Sequence, residues 1–291
     1  VGTMLVGTST EDRHRLSARR INILNGIAQQ AATAVVNNQL YKESAERLRL
    51  EQELDVARDI QRSLLPWKKP DIPGLEVASY WQGARQVSGD FYDFLDRPDG
   101  SWGILIADVS DKGVPAALFM ALSRTILRTV GMNRRDPADV LMRANQIIDS
   151  DAASDLFVTV FYTLWDKETG TLHYANGGHN PPLLIRANGD HSWLRAPGIA
   201  LGILPDVNIP TNAIQLDPGD TLVLYTDGVT EAINANLDEF GTERLYWTVR
   251  SVHKQKPDEI FEAITESVNE HTGDTPQFDD VAMVLLQRKE Q

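Results

Sequence analysis

Apolar positions follow different spacings along the chain, and each spacing predicts a different kind of element. From about Ser17 to Leu65 no proline and only Gly26 interrupt a run rich in Ala, Leu, Glu, Arg and Gln, which predicts one long helix. Within it Val36, Leu40, Leu50, Leu54, Ala57 and Leu64 alternate at steps of three and four, while Glu43, Arg47 and Gln61 break the same seam. That is an imperfect coiled coil. A charge-broken seam suits a switchable parallel dimer helix better than a rigid rod; a plain amphipathic helix packed on its own domain is the alternative. Upstream, the apolar residues of VGTMLVGTS read as a last strand that has lost its sheet. Pro66 ends the helix, and residues 66–74, with Lys68-Lys69-Pro70-Asp71-Ile72-Pro73-Gly74, are a linker by composition.

Beyond the linker the pattern changes to short apolar runs divided by turn residues. LEVASYWQGA alternates as a strand. FYDFL and WGILIA, joined by Pro98-Asp99-Gly100, predict a hairpin. VPAALFMALSRTILRTVG has helical spacing with Pro115 in its first turn, and a second helix follows from Asp136-Pro137 to about Ser150. Strands are expected at LFVTVFYTLW, GTLHYAN, PPLLIRA, HSWLR and DTLVLYT. Helices follow near Glu243 to Val252 and Pro257 to His271, and VAMVLLQR closes as a strand. Strands around two helix pairs predict an α+β fold, two packed antiparallel sheets flanked by helices. The expected parts are thus 1–16, a remnant strand; 17–65, the long helix; 66–74, the linker; and 75–291, the main domain.

Composition narrows the chemistry. A 42% hydrophobic content supports a proper core, and a net charge of −13 argues against a nucleic-acid surface. With no cysteine, disulfides, thiolate zinc sites and cysteine nucleophiles are excluded. No apolar run approaches the roughly 18 residues of a membrane span and no signal-peptide pattern is present, so a cytoplasmic protein is expected.

Aspartates gather at strand ends. An antiparallel FYDFL–WGILIA hairpin sets Asp90, at the start of one strand, beside Asp108, at the end of the other. Like charges at that range repel by several kcal/mol in a partly desolvated site, so the pair calls for a cation or a proton. Asp227 lies just past the apolar run of DTLVLYTDG, and Asp279 and Asp280 immediately precede the last strand. Carboxylates without His or Cys neighbours favour Mg²⁺ or Mn²⁺ over zinc. Four of them carry too much charge for one well-hydrated ion, and two metals are the natural answer. Such a pair activates water for in-line attack on phosphorus.

GDFYDF, ADVSDKGVPAALFM, LFVTVFY, YANGGHNPPLL, LYTDGVTEA and FDDVAMVLL together resemble successive motifs of the PPM-type metal-dependent protein Ser/Thr phosphatases, most closely the SpoIIE-like bacterial branch. The resemblance runs from about Leu64 to the C-terminus. Residues 1–65 are similar to the last strand and helix of a GAF sensor domain running into a signalling helix. The resemblance implies an αββα sandwich with two Mn²⁺ or Mg²⁺ ions between the sheets. By motif, Asp108 would bridge both metals, the Val109 carbonyl would bind one, with Asp90 on the same ion directly or through water, and Asp227 and Asp279 the other, with Asp280 in reserve for Asp279.

Two positions depart from the family pattern: Ser88 and Asp111 stand where glycine is usual. The branch also lacks the histidine proton donor found after the bridging Asp in eukaryotic members. His179, in GGHNPP, is a candidate acid, although a lone His in a Gly-Pro turn more often bonds backbone. Arg85 is a candidate phosphate contact and Asp93 with Tyr92 a hairpin anchor.

The resemblance implies a protein serine/threonine phosphatase, a phosphoric monoester hydrolase, acting on a phosphorylated STAS-domain anti-anti-sigma factor whose dephosphorylation releases a sigma factor. A homodimer through the N-terminal helix would couple an upstream sensor to the metal site. The alternatives are a non-catalytic signalling or dimerisation module that keeps the fold, and a dimetal hydrolase of small phosphate esters. Retention of all four acids speaks against the first, and the absence of a Gly-rich phosphate loop speaks against the second.

Overall fold

The computed structural model describes residues 18–151 and 155–290, so the expected remnant strand at 1–16 lies outside the described residues. The chain divides into two units, one ending at Val56 and the other beginning at Ala57. The first is the N-terminal part of α1 (Ala18–Leu64), the long helix expected from the uninterrupted run of helix formers. Arg47–Glu51 and Arg49–Glu53 pair at four-residue spacing on its surface. Pairs of this kind add a few tenths of a kcal/mol each. Val36, Leu40 and Leu50 of the seam are exposed in this single chain.

The second unit carries the last turns of α1 and two five-stranded sheets, with every strand pairing antiparallel. One sheet runs β1 (Leu75–Gln82), β10 (Val281–Arg288), β9 (Thr221–Tyr225), β6 (Leu183–Ile185) and β7 (His191–Trp193). The other runs β2 (Phe91–Asp96), β3 (Trp102–Val109), β4 (Val158–Asp166), β5 (Thr171–Gly177) and β8 (Asn212–Gln215).

Three layers of core hold the unit together. Val77, Leu224, Val284 and Leu286 of the first sheet meet Phe94, Ile104, Ile106 and Phe161 of the second. On its outer face the second sheet is covered by α2 (Val114–Gly131) and α3 (Pro137–Asp151). The first sheet is covered by α5 (Gly241–Val252) and α6 (Pro257–Thr272). The order is therefore α-β-β-α. Central strands are buried on both faces, which is why β3 and β9 read as unbroken apolar runs rather than alternating ones.

Sequence patterning did not anticipate β8 or the single turn α4 (Asp227–Thr230). β8 is a short edge strand with no fully buried side chain, and α4 is too short to show a helical period.

The hairpin register fixes the site. Phe91 opposes Ala107 and Asp96 opposes Trp102. The next pair outward is Asp90 and Asp108, at the open end of the second sheet. β9 and β10 of the first sheet bring Asp227 and the Asp279–Asp280 pair to the same region, because Tyr225 opposes Met283.

Candidate active site

Five carboxylates meet where the two sheets end. Asp90 is buried, with Oδ2 lacking any N–H or O–H donor. Burial, then the charge of Asp108, then the hydrogen bond between the two side chains, pushes its carboxyl well above the ordinary carboxylate range. Asp108 is itself pushed up to about 7: burial raises it, the hydrogen bond from Asp90 pulls it down, and the charges of Asp227, Asp279 and Asp280 raise it further. Asp227 is raised by burial and then by Asp279, against the Gly228 N–H and the Lys112 ammonium, which lower it. The four acids predicted from sequence are thus close enough to feel one another's charge.

The adjacent acids Asp279 and Asp280 do different things. Asp280 is buried, and its two oxygens accept the backbone N–H groups of Ala84 (2.7 Å) and Gly89 (2.9 Å). It therefore holds the β1–β2 loop that leads into Asp90. Asp279 stays partly exposed, and its Oδ2 lies 2.8 Å from Lys112 Nζ. The loop carrying both acids also crosses α4 closely: a Cβ on Gly228 would sit 1.8 Å from the Asp280 carbonyl oxygen, so only glycine fits beside Asp227. The Val109 carbonyl faces Gly89, where an added Cβ would come within 3.0 Å of it.

Both departures from the family pattern are turn residues. Ser88 is fully buried, and its Oγ accepts the Asp90 N–H at 3.1 Å. Asp111 has φ 72, the left-handed region, and its Oδ1 accepts the Lys112 N–H at 2.8 Å. Asp is among the residues that tolerate this conformation, which explains how it replaces glycine.

Around the carboxylates stands a frame of which sequence patterning indicated only Asp93, as a hairpin anchor. Gln61, read as a break in the apolar seam of α1, is buried. Its Nε2 donates to the Ser88 carbonyl at 2.6 Å and its Oε1 accepts the Ser88 N–H at 3.0 Å. Asp93 is also buried and pairs with Arg124 and Arg128, both at 2.9 Å, tying β2 to α2. Thr226 closes β9 on β10, its hydroxyl accepting the Ala282 N–H at 2.9 Å. Arg85 is exposed.

His179 is no exposed acid. Its ring lies between the Thr159 hydroxyl (2.9 Å from Nδ1) and the Tyr225 carbonyl (3.2 Å from Nε2), and burial pushes its pKa down to about 4. The Asn176 amide clasps its backbone from both sides, accepting its N–H at 2.7 Å and donating to its carbonyl at 2.9 Å. Thr159 is the cross-strand partner of Asp108, and Tyr225 lies two residues before Asp227. The imidazole therefore braces the two sheets against each other behind the carboxylates.

The donor set fits a hard divalent cation: carboxylates and a carbonyl, one carboxylate oxygen with no donor, and mutual repulsion that a cation would relieve. Among the described residues no three acidic or histidine side chains already converge as an ion's ligands would. Asp90 turns to Asp108 and Asp279 to Lys112 instead. Beside Asp279 and Gly228 a cavity of about 260 Å³ opens, its apolar lining including Val229, Val268, Val281 and Met283.

Comparison with known proteins gives the same picture. Residues 98–289 match the family described as Stage II sporulation protein E (SpoIIE). Protein IcfG of Synechocystis is 32% identical over 264 residues, covering 81% of this chain and 41% of that protein. Phosphoserine phosphatase RsbU of Bacillus subtilis is 31% identical over 188 residues, covering 64% of this chain and 56% of RsbU. The chain thus spans about half the length of the curated relatives it matches. Among solved structures, the SiaA-PP2C domain of Pseudomonas aeruginosa superposes with a TM-score of 0.75 at 24% identity, covering 84% of this chain and 98% of that domain, a likeness of fold. With the family match spanning most of the second unit and taking in Asp108, Asp227, Asp279 and Asp280, the chain belongs to the SpoIIE family of PP2C-like serine/threonine phosphatases.

Proposed function

We propose that this chain hydrolyses phosphoserine or phosphothreonine on a regulatory protein, using two Mn²⁺ or Mg²⁺ ions held by its strand-end carboxylates. The observation that carries the reading is that Asp90, Asp108, Asp227 and Asp279 are brought from both sheets into one region, each of the first three raised by burial and by acidic neighbours. Asp90, Asp108 and the Val109 carbonyl would hold one ion, and Asp108, Asp227 and Asp279 the other. Bound there, the ions supply Lewis-acid polarisation of the phosphoryl group and activation of the attacking water.

The chain's own residues prepare that site. Asp280 spends both oxygens on Ala84 and Gly89, which supports Asp279 as the ligand of the pair. Gln61 and Ser88 hold the loop from which Asp90 projects. With both ring nitrogens engaged and its pKa near 4, His179 stays neutral and braced at physiological pH, and does not act as the proton donor.

The substrate we infer is a phosphoserine protein, in line with the relative named phosphoserine phosphatase RsbU, and the motif resemblance makes a STAS-type protein the candidate. An upstream GAF-like sensor acting through a parallel α1 dimer is the regulation this reading implies. No helix among the described residues is long and apolar enough to cross a membrane.

The test is hydrolysis of p-nitrophenyl phosphate, a phosphoserine peptide and a phosphorylated STAS protein with Mn²⁺, with Mg²⁺ and with EDTA. The expected result is metal-dependent release of phosphate, fastest from the protein, and none from Asp108→Asn. Metal-independent turnover, or near wild-type rates in that variant, would overturn the dimetal reading. Preference for a nucleotide would overturn the protein substrate. Substituting Leu50 and Leu54 should weaken dimerisation in sedimentation; an unchanged dimer would remove α1 from the interface.

A further inference from the structure

A cation reaches the carboxylate cluster from the turn after β3. Lys112 Nζ lies 2.8 Å from Asp279 Oδ2, donates to the Phe278 carbonyl at 3.3 Å and sits 4.4 Å from the centre of the Phe278 ring. The backbone beneath it is fixed. Asp111 and Gly113, on either side, both have positive φ (72 and 84), and the Asp111 side chain accepts the Lys112 N–H. The ammonium therefore spans from the β3–α2 turn of one sheet to the loop before β10 of the other.

That contact places a positive charge where a metal would bind. A divalent cation on Asp279 would stand within a few ångströms of the ammonium bonded to the same carboxylate, and like charges at that range repel unless the ammonium moves away. The pair is also exchangeable, since the side chains remain 30% and 25% exposed.

We propose that Lys112 is the chain's own counter-ion for the Asp227–Asp279 side of the cluster, and that a divalent cation binds there by displacing it. The proposal rests on the dimetal reading above and adds to it a residue that sets how tightly the second ion binds. Lys112 opposes metal entry by competing for Asp279. A carboxylate ligand does the reverse, so the two kinds of residue have opposite signatures in a binding measurement.

Calorimetric titration of Mn²⁺ into the EDTA-stripped, dialysed chain reads this directly. Lys112→Met keeps the aliphatic stem against Phe278 and removes the charge. It is expected to bind Mn²⁺ about fivefold tighter at one of two sites, the scale of a partly exposed ion pair. Lys112→Arg, which keeps a cation there, should stay within about twofold of wild type. Asp279→Asn should bind at that site at least about tenfold more weakly. The rise in Tm on adding Mn²⁺ should be larger in Lys112→Met than in wild type, and Lys112→Gln serves if the Met variant does not fold. Damage to the turn would weaken metal binding, so tighter binding is not a structural side effect. Unchanged or weaker binding by a folded Lys112→Met, alongside Mn²⁺ binding by wild type that Asp279→Asn loses, would overturn this proposal alone. A wild-type chain that binds no Mn²⁺ would overturn the dimetal reading and this proposal with it.

Discussion

Gln61 and Ser88 are joined by a pair of hydrogen bonds in opposite directions: the Gln61 amide donates to the Ser88 carbonyl at 2.6 Å and accepts the Ser88 N–H at 3.0 Å. Both residues are buried, and Ser88 Oγ in turn accepts the Asp90 N–H. One side chain near the end of α1 thus completes the backbone bonding of the loop that presents Asp90. The helix end and the Asp90 backbone are thus linked through one residue, Ser88.

Replacing Gln61 by Leu should therefore do more than remove a contact. The Ser88 N–H and carbonyl would stay buried without partners, at about 1–3 kcal/mol each. The expected result is a lowered urea midpoint together with a loss of metal-dependent kcat larger than that of Ile60→Ala, whose side chain is exposed one position away. Equal activity in the two variants would separate the helix end from the site.

Asp108→Asn separates chemistry from stability. In the metal-free chain Asp108 titrates at about 7 rather than at its ordinary value of 3.8, so between those values the folded state holds a proton that the unfolded state has lost. Stability of the metal-free wild type should fall as pH rises through that window, since the folded state binds the extra proton there. Asn carries no charge at any pH and should flatten the fall while abolishing turnover. Thermal unfolding in EDTA at pH 5 and pH 8 reads the effect. A variant less stable than wild type at pH 8 would contradict the repulsion.

Much of this arrangement was legible in the sequence, and what was not shares a physical cause. The Asp90–Asp108 pairing follows from two strands and a Pro-Asp-Gly turn, a local matter of register. Asp227 follows one apolar run and Asp279 stands just before another, so both are legible as strand-end acids. Local pattern cannot separate Asp279 from Asp280, because what distinguishes them are Ala84, Gly89 and Lys112, all brought near only by the fold. Gln61 reads as a flaw in a hydrophobic seam, since its partner belongs to a loop 27 residues on. His179 reads as a candidate acid or, more commonly for a His in a Gly-Pro turn, as a residue bonded to backbone, and its contact with the Tyr225 carbonyl is of the second kind. Its burial between Thr159 and Tyr225 depends on two sheets packing, which no periodicity encodes.

Asp111 offers a gain in stability. Its φ of 72 lies where an L side chain is strained and glycine is not. The hydrogen bond from the Lys112 N–H to its side chain offsets part of that strain. Asp111→Gly should raise stability by about 0.5–1 kcal/mol, read as a higher denaturant midpoint at unchanged slope. Removing a negative charge next to Lys112 should leave the Lys112–Asp279 pair in place. A lower midpoint would mean that the side-chain hydrogen bond outweighs the backbone strain.

His179 gives the chain a second pH dependence, opposite in sign to that of Asp108. Unfolded, the imidazole takes a proton near its ordinary value of 6.5; folded, burial holds it neutral down to about 4. Between those values the unfolded state binds the extra proton, so stability is lost as pH falls from about 6.5 toward about 4, by at most about 1.4 kcal/mol per pH unit. Substituting His179 by Leu removes that slope. It also leaves the Thr159 hydroxyl and Tyr225 carbonyl without their partner, so the variant should be less stable at pH 7 yet lose less on acidification. Urea unfolding at pH 7 and pH 5 in EDTA, compared between Asp108→Asn and the same background carrying His179→Leu, reads the effect with one opposing titration removed. The same acid slope in both chains would show that the ring titrates in the folded state as it does in the unfolded one, and the brace between the sheets would lose its electrostatic signature.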